Sequence, residues 1–273
     1  MRNGSVPGDS EGGSNVVLPR IVTGAVAAIA ERAGAYLAAG YGLHLHGPVG
    51  TGKTTLAALI AEGRTGQVLT LAGAPDPPAM LLAACLSGAT LLADGASAEL
   101  AAIGPRLAAV LSDGTLPLAV GGSEGRPVAA GFRALVVTGP GEQLPAALSD
   151  RLIPISCDGP DRDTEIAIAA SRSGLTPDEA GRIVDMVRDI RRSREYAERP
   201  SLRCTIALCR LAHALGCSVS ADDARFVALV LDMLGARLRH TPDGLPDPRH
   251  RQMLAGLVGH FCSDRPRAQA VAA

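Results

Sequence analysis

Eight consecutive residues carry the plainest chemistry in this chain. Gly47-Pro48-Val49-Gly50-Thr51-Gly52-Lys53-Thr54 has the spacing G-x-x-x-x-G-K-[ST]. Glycines so placed let backbone N–H groups turn toward phosphate oxygens, and a helix opening at the lysine adds partial positive charge. Lys53 is the only lysine among 26 lysine and arginine residues. At this one position the chain keeps a compact, strongly hydrated charge on a thin stem, where a planar guanidinium fork would fit badly. The motif predicts that Gly47, Pro48, Val49, Gly50, Thr51, Gly52, Lys53, Thr54 and Thr55 cradle the phosphates of ATP. Lys53 would bridge the β- and γ-phosphates, and the Thr54 hydroxyl would sit on Mg²⁺.

A phosphate loop of this kind needs a second Mg²⁺ anchor at the end of a neighbouring strand. Asp94, closing Thr90-Leu91-Leu92-Ala93, has that placement. Hydrolysis then needs a base that reaches the attacking water. The residue after Asp94 is Gly95, which has no side chain, so residue types alone predict that Gly95→Glu would raise turnover. Glu99 is the nearest acid, on the following helix. The next strand end, Val137-Thr138-Gly139, offers Thr138 as a polar group to orient water, whereas Gly139 offers nothing. Arg151, before the last strand, and Arg203, at the start of a later helix, read on their own as solvated surface charges. His44 and His46 share one face of a strand and, without a third ligand, read as packing residues.

Around these residues, short apolar strands alternate with helices. Strands are predicted at about 43–46, 67–71, 89–93, 134–138 and 153–157. Helices are predicted at about 22–39, 53–62, 79–86 and 98–111, with a small hairpin over 116–120 and 127–130. That alternation predicts an α/β fold with a parallel sheet covered on both faces. After Asp158-Gly159-Pro160 the pattern becomes helical only. Thr176, Pro177 and Glu179 form a capping-box start. Asp222 and Asp223 are expected in the first turn of a helix opening after Ser220, and a last helix is expected over 250–261. The expected organisation is a flexible tail over 1–19, a nucleotide-binding α/β domain over 20–158, an α-helical domain over 159–262 and a tail over 263–273.

Composition narrows the class of function. Aromatics make up 2% and tryptophan is absent, so alanine, leucine, valine and isoleucine must build the core. The net charge of −1 gives no drive toward nucleic acid or an anionic membrane. No apolar run approaches the ~20 residues of a membrane span. None of the six cysteines forms a C-x-x-C pair, and most lie in apolar runs, as buried free thiols in a reducing cytoplasm do. The expected protein is soluble and cytoplasmic.

These parts in this order resemble the MoxR branch of the AAA+ ATPases, and within it the gas vesicle protein GvpN family. The resemblance covers about residues 20–262. It rests on 43–55, Phe132-Arg133-Ala134, Asp150-Arg151-Leu152-Ile153, Asp161-Arg162-Asp163-Thr164-Glu165-Ile166 and Arg199-Pro200-Ser201-Leu202-Arg203. It implies a P-loop AAA+ three-layer sandwich with a small helical lid. By the same resemblance Asp94 is the Walker B aspartate, Arg151 an arginine finger acting in trans on the next subunit, and Arg203 the sensor-2 arginine. The family resemblance further implies a homo- or hetero-hexameric ring, partners among gas vesicle structural or assembly proteins, and a cytoplasmic or gas vesicle-associated location. This chain departs from the family pattern at Gly95, where a glutamate is expected, and at Gly139, where an asparagine is expected. It also has only Gly73 to Gly88 where a long pore-facing insert is expected. The reading is a protein of gas vesicle assembly that binds Mg-ATP with weakened or absent hydrolysis. The alternatives are an active ATPase chaperone remodelling gas vesicle proteins, a MoxR-type activator of a metalloenzyme, and a small-molecule kinase, against which the pairing of Arg151 with a lid carrying Arg203 argues.

Overall fold

In the computed structural model, residues 24–63, 66–95, 97–118, 124–193, 199–235 and 248–263 are described. The two tails, the predicted helix start at Val22 and the tip of the predicted hairpin lie outside them, Ser263 excepted. The strands are β1 (Gly42–His46), β2 (Val68–Thr70), β3 (Thr90–Asp94), β4 (Thr115–Pro117), β5 (Gly125–Pro127), β6 (Arg133–Val137) and β7 (Leu152–Ser156). Five of them pair in parallel in the order β2-β3-β6-β1-β7, while β4 and β5 form a separate antiparallel hairpin. The central strands β3 and β6 are buried along almost their whole length, as near-continuous apolar runs dictate.

Two apolar layers flank the sheet. On one face α1 (Gly24–Ala38) and α2 (Lys53–Glu62) cover Leu43, Leu45, Leu135 and Val137. On the other, α3 (Pro77–Ser87) and α4 (Ala98–Asp113) cover Leu91, Ala93, Ala134 and Val136. Successive strand residues alternate between these faces, so each strand feeds both cores. The region between β2 and β3 holds α3 alone, opened by Asp76 accepting the Ala79 N–H and closed by Gly88 in the left-handed conformation. One short helix, α5 (Ala146–Ser149), which no residue pattern predicts, precedes β7.

After Ser156 every described element is helical: α6 (Arg162–Ser173), α7 (Pro177–Arg192), α8 (Leu202–Ala214), α9 (Ala224–Gly235) and α10 (Pro248–Phe261). They enclose a third core around Phe226, Val187, Ile190, Leu208 and Leu254. The capping box of α7 is fully formed, with Thr176 and Glu179 exchanging side-chain to backbone bonds. The start of α9 differs from expectation. Its first turn holds no acid, because Asp223 is used one step earlier. Asp223 accepts the N–H groups of Ser218 (2.8 Å) and Arg225 (2.9 Å), closing the turn that leads into the helix. Arg225 and those N–H groups hold its carboxyl down to about 2.

Candidate functional site

Because the sheet is parallel, the ends of β1, β3 and β6 open on one edge, where ligands of α/β folds are commonly held. The phosphate loop leaves β1 there. Gly47 has φ +144°, and a Cβ on it would lie 2.5 Å from the Cys157 carbonyl oxygen. The loop therefore passes against the end of β7, whose continuation is bonded to it through Cys157 N–H and His46 O at 2.8 Å. Gly50 and Gly52 are also left-handed, and Gly52 caps α2. Lys53 opens that helix, is 8% exposed, and donates through Nζ to the carbonyls of Gly47 (2.9 Å) and Pro48 (2.6 Å). Next to it the Thr54 hydroxyl donates to Asp94 Oδ2 at 2.9 Å. Two residues 40 apart in the chain thus meet across α2 and β3, presenting two oxygen donors of the hard type that Mg²⁺ takes.

A cavity of about 260 Å³ opens beside the loop. Val26 of α1, Gly50, Thr51, Gly52 and Thr55 of the loop and α2, and Ile168, Leu202 and Ile206 of the helical layer line it, with Arg203 and Arg172 at its wall. The structure therefore brings Arg203 to the phosphate loop. Arg172 was not singled out from the sequence; it lies three residues past Ala169 on α6 and becomes visible only when α6 and α8 are packed together. Arg151 is elsewhere. Leu152, its neighbour, pairs with Gly42 at the end of β1 opposite the loop. Its guanidinium donates to the Ser112 hydroxyl and to the Ala147 carbonyl (2.7 Å), so it does not join Lys53 within one subunit.

The helices beside the loop are held together by a buried carboxylate. Glu165 is fully buried and receives Arg191 Nη2 at 2.6 Å, Arg188 Nη1 at 3.0 Å and the Thr205 hydroxyl at 3.2 Å. Arg191 also donates to Pro200 O at 2.6 Å, fixing the residue that leads into Ser201 and α8. Ser201 presses on the loop so closely that a Cβ on Gly50 would lie 2.3 Å from its own Cβ.

The strand ends beyond Asp94 are arranged differently from expectation. Gly95 has φ +89° and donates its N–H to Val137 O at 2.7 Å. Thr138, 2% exposed, has its hydroxyl 2.7 Å from His44 Nε2. Burial, then the neighbouring His46, lowers the His44 pKa, so a neutral imidazole faces that hydroxyl. Thr138 is thereby committed to His44 and is not open to water. Glu99 is also committed: its own N–H, the Ser97 side chain and the Gly73 N–H hold its carboxyl low. A different acid occupies this edge. Glu142 Oε2 accepts the Gly139 N–H at 2.6 Å. The four-residue turn Gly139-Pro140-Gly141-Glu142 was the signal available in the sequence, since it returns a carboxylate to the strand end.

All six cysteines are buried free thiols. Burial pushes Cys85, Cys209 and Cys262 up to about 12, which makes them inert packing groups. No helix among the described residues is long and apolar enough to cross a membrane.

A phosphate loop after the first strand, an acid at the end of the strand two places along the sheet, and a helical layer closing over the loop define the AAA+ P-loop ATPase fold. Two solved structures share it: the RuvB Holliday junction branch migration motor of Thermotoga maritima and NtrX of Brucella abortus in complex with ATP. The first has a TM-score of 0.50 and 18% identity over 86% of this chain and 76% of that one. The second has a TM-score of 0.50 and 16% identity over 90% of this chain and 63% of that one. No protein-family model matches the chain. It is, however, 30% identical over 282 residues to the gas vesicle ATPase GvpN of Ancylobacter aquaticus, covering 86% of this chain and 79% of that protein. The chain belongs to the GvpN family.

Proposed function

We propose that this chain is a MoxR-type AAA+ protein of gas vesicle assembly that binds Mg-ATP at the phosphate loop and turns it over slowly. The observation that carries the nucleotide reading is the 2.9 Å bond from Thr54 to Asp94 beside a loop already shaped by its three left-handed glycines. Thr54 and Asp94 would hold Mg²⁺, which when bound neutralises charge on the phosphates. Lys53 would exchange its two loop carbonyls for phosphate oxygens. The cavity by Val26, Leu202 and Ile206 would take the base and ribose, and Arg203 would close from the lid. Arg151, exposed on the far end of the sheet, would act on a neighbouring subunit of a homo- or hetero-hexameric ring. The gas vesicle assignment rests on the named relative. Slow turnover is supported by Gly95 and Gly139, which bring no side chain to the water, and by the engagement of Thr138 and Glu99 elsewhere.

The test is ATP binding by the native chain and by Lys53→Ala, with formation of gas vesicles scored in cells whose own copy is replaced by either form. Binding should be lost in Lys53→Ala, together with normal vesicles. Equal ATP binding by both proteins would end the nucleotide reading, and normal vesicles without the gene would end the assembly reading.

A further inference from the structure

The space where two catalytic side chains are missing is not empty. A Cβ built on Gly95 would lie 3.9 Å from Glu142 Oε1, and a Cβ built on Gly139 would lie 3.6 Å from Glu142 Cδ, with both carboxylate oxygens within 3.8 Å. One carboxylate therefore stands between the two glycines, next to the residue that follows Asp94. The Gly139 N–H fixes Oε2 at 2.6 Å and leaves Oε1 as the atom nearest to Gly95. Gly139 N–H, a backbone group at a strand end, orients the carboxylate without consuming its charge. The two polar side chains first considered for water, Thr138 and Glu99, are unsuited. Thr138 is buried against His44, and Glu99 is tied to the start of α4.

We infer that Glu142 is the water-activating carboxylate of this chain, reaching the site from the turn after β6 in place of a glutamate after Asp94. The inference rests on the ATP site proposed above. In the step, water attacks the γ-phosphorus as Glu142 Oε1 takes one of its protons. The bond from the γ-phosphorus to the bridging oxygen breaks, and that oxygen leaves with its electron pair on ADP. Inorganic phosphate departs, and Glu142 returns its proton to solvent. A Cβ at 95 or 139 would make only ordinary contact with this carboxylate, so Glu142 fits beside both strand ends without displacing backbone.

A second reading of the same contact is that Glu142 only closes its turn, since its own N–H also approaches Gly139 O at 3.4 Å. Glu142→Gln separates the two, because a glutamine oxygen can still accept the Gly139 N–H but cannot take a proton. The experiment compares the full chain, Glu142→Gln and Lys53→Ala in three measurements: melting temperature without nucleotide, affinity for a non-hydrolysable ATP analogue, and the fate of bound ATP in a single turnover. The expected result for Glu142→Gln is native melting, analogue affinity within about twofold of native, and cleavage slowed by about 10²-fold or more, so that intact ATP is recovered from the protein. Analogue binding with unchanged cleavage in Glu142→Gln would overturn the assignment. So would native cleavage no faster than the Lys53→Ala background, or a fall in melting temperature that accounts for the loss. Failure of the native chain to bind the analogue would instead overturn the ATP site itself.

Discussion

The two halves of the site are built on opposite plans. On the phosphate-loop side, three positions are fixed by contacts that leave no slack: Gly47 against Cys157, Gly50 against Ser201, Lys53 over its own loop carbonyls. On the strand-end side, two glycines leave room, and a carboxylate on a surface turn fills it. Binding geometry is thus written into close-packed backbone, whereas the water-handling geometry depends on a side chain that arrives from outside the sheet. Loss of fit should damage the first half through folding and the second through chemistry alone.

The largest effect should come from tightening the loop side. Gly47→Ala places a Cβ 2.5 Å from a backbone oxygen, at a φ of +144° that residues with side chains rarely adopt. Such backbone strain costs about 1–3 kcal/mol, and overpacking a site that cannot yield adds about 1–3 kcal/mol. We expect a loss of about 4 kcal/mol by denaturant unfolding together with lost ATP binding. Gly52→Ala, with nothing within 4 Å of its Cβ, should suffer only the left-handed backbone term. Equal losses for the two would show that packing against Cys157 does not shape the loop.

Next in size is the buried support of the lid. Glu165→Gln removes the charge that pairs Arg188 and Arg191. Removing one partner of a buried ion pair typically costs about 3–5 kcal/mol. The two arginine side chains remain 27% and 24% exposed, so water can partly solvate them and the low end, about 3 kcal/mol, applies. Because Arg191 also holds Pro200, ATP affinity should fall along with thermal stability. A stability loss with native affinity would mean that α8 reaches the phosphate loop without this anchor.

How much of this was legible beforehand follows the range of the interactions. The phosphate loop is eight adjacent residues whose geometry is local, and Asp94 ends a strand whose apolar run is also local. The capping box at Thr176 and Glu179 is a three-residue signal and appears as written. Asp222 and Asp223 misled because two acids beside a helix can serve its first turn or the turn before it, and the choice depends on Ser218 and Arg225. Arg172 and the Glu165 cluster were hidden because their meaning arises when elements far apart in the chain meet. Residue types at Gly95 and Gly139 pointed to missing chemistry; the turn that returns Glu142 to Gly139 is local, whereas its approach to Gly95 is a tertiary fact.

The smallest effects, and the sharpest test of the strand-end plan, come from refilling the glycines. Gly95 has φ +89°, so Gly95→Glu carries a backbone penalty of about 1–2 kcal/mol. Its carboxylate would also enter the space of Glu142, where like charges oppose each other. The gain in turnover that residue types alone suggest should therefore not appear. Gly139 has no such backbone constraint, and its Cβ would make only ordinary contact with Glu142 at 3.6 Å. Gly139→Asn should change stability by no more than about 0.5 kcal/mol. In the double variant Gly95→Glu, Glu142→Gln, the charge conflict is gone, and turnover should recover above that of Glu142→Gln alone while the backbone penalty stays. Steady-state hydrolysis and unfolding of these variants, measured side by side, decide the matter. A Gly95→Glu protein that is as stable as native and several-fold faster would show that the left-handed turn at 95 is dispensable and that Glu142 leaves the position free.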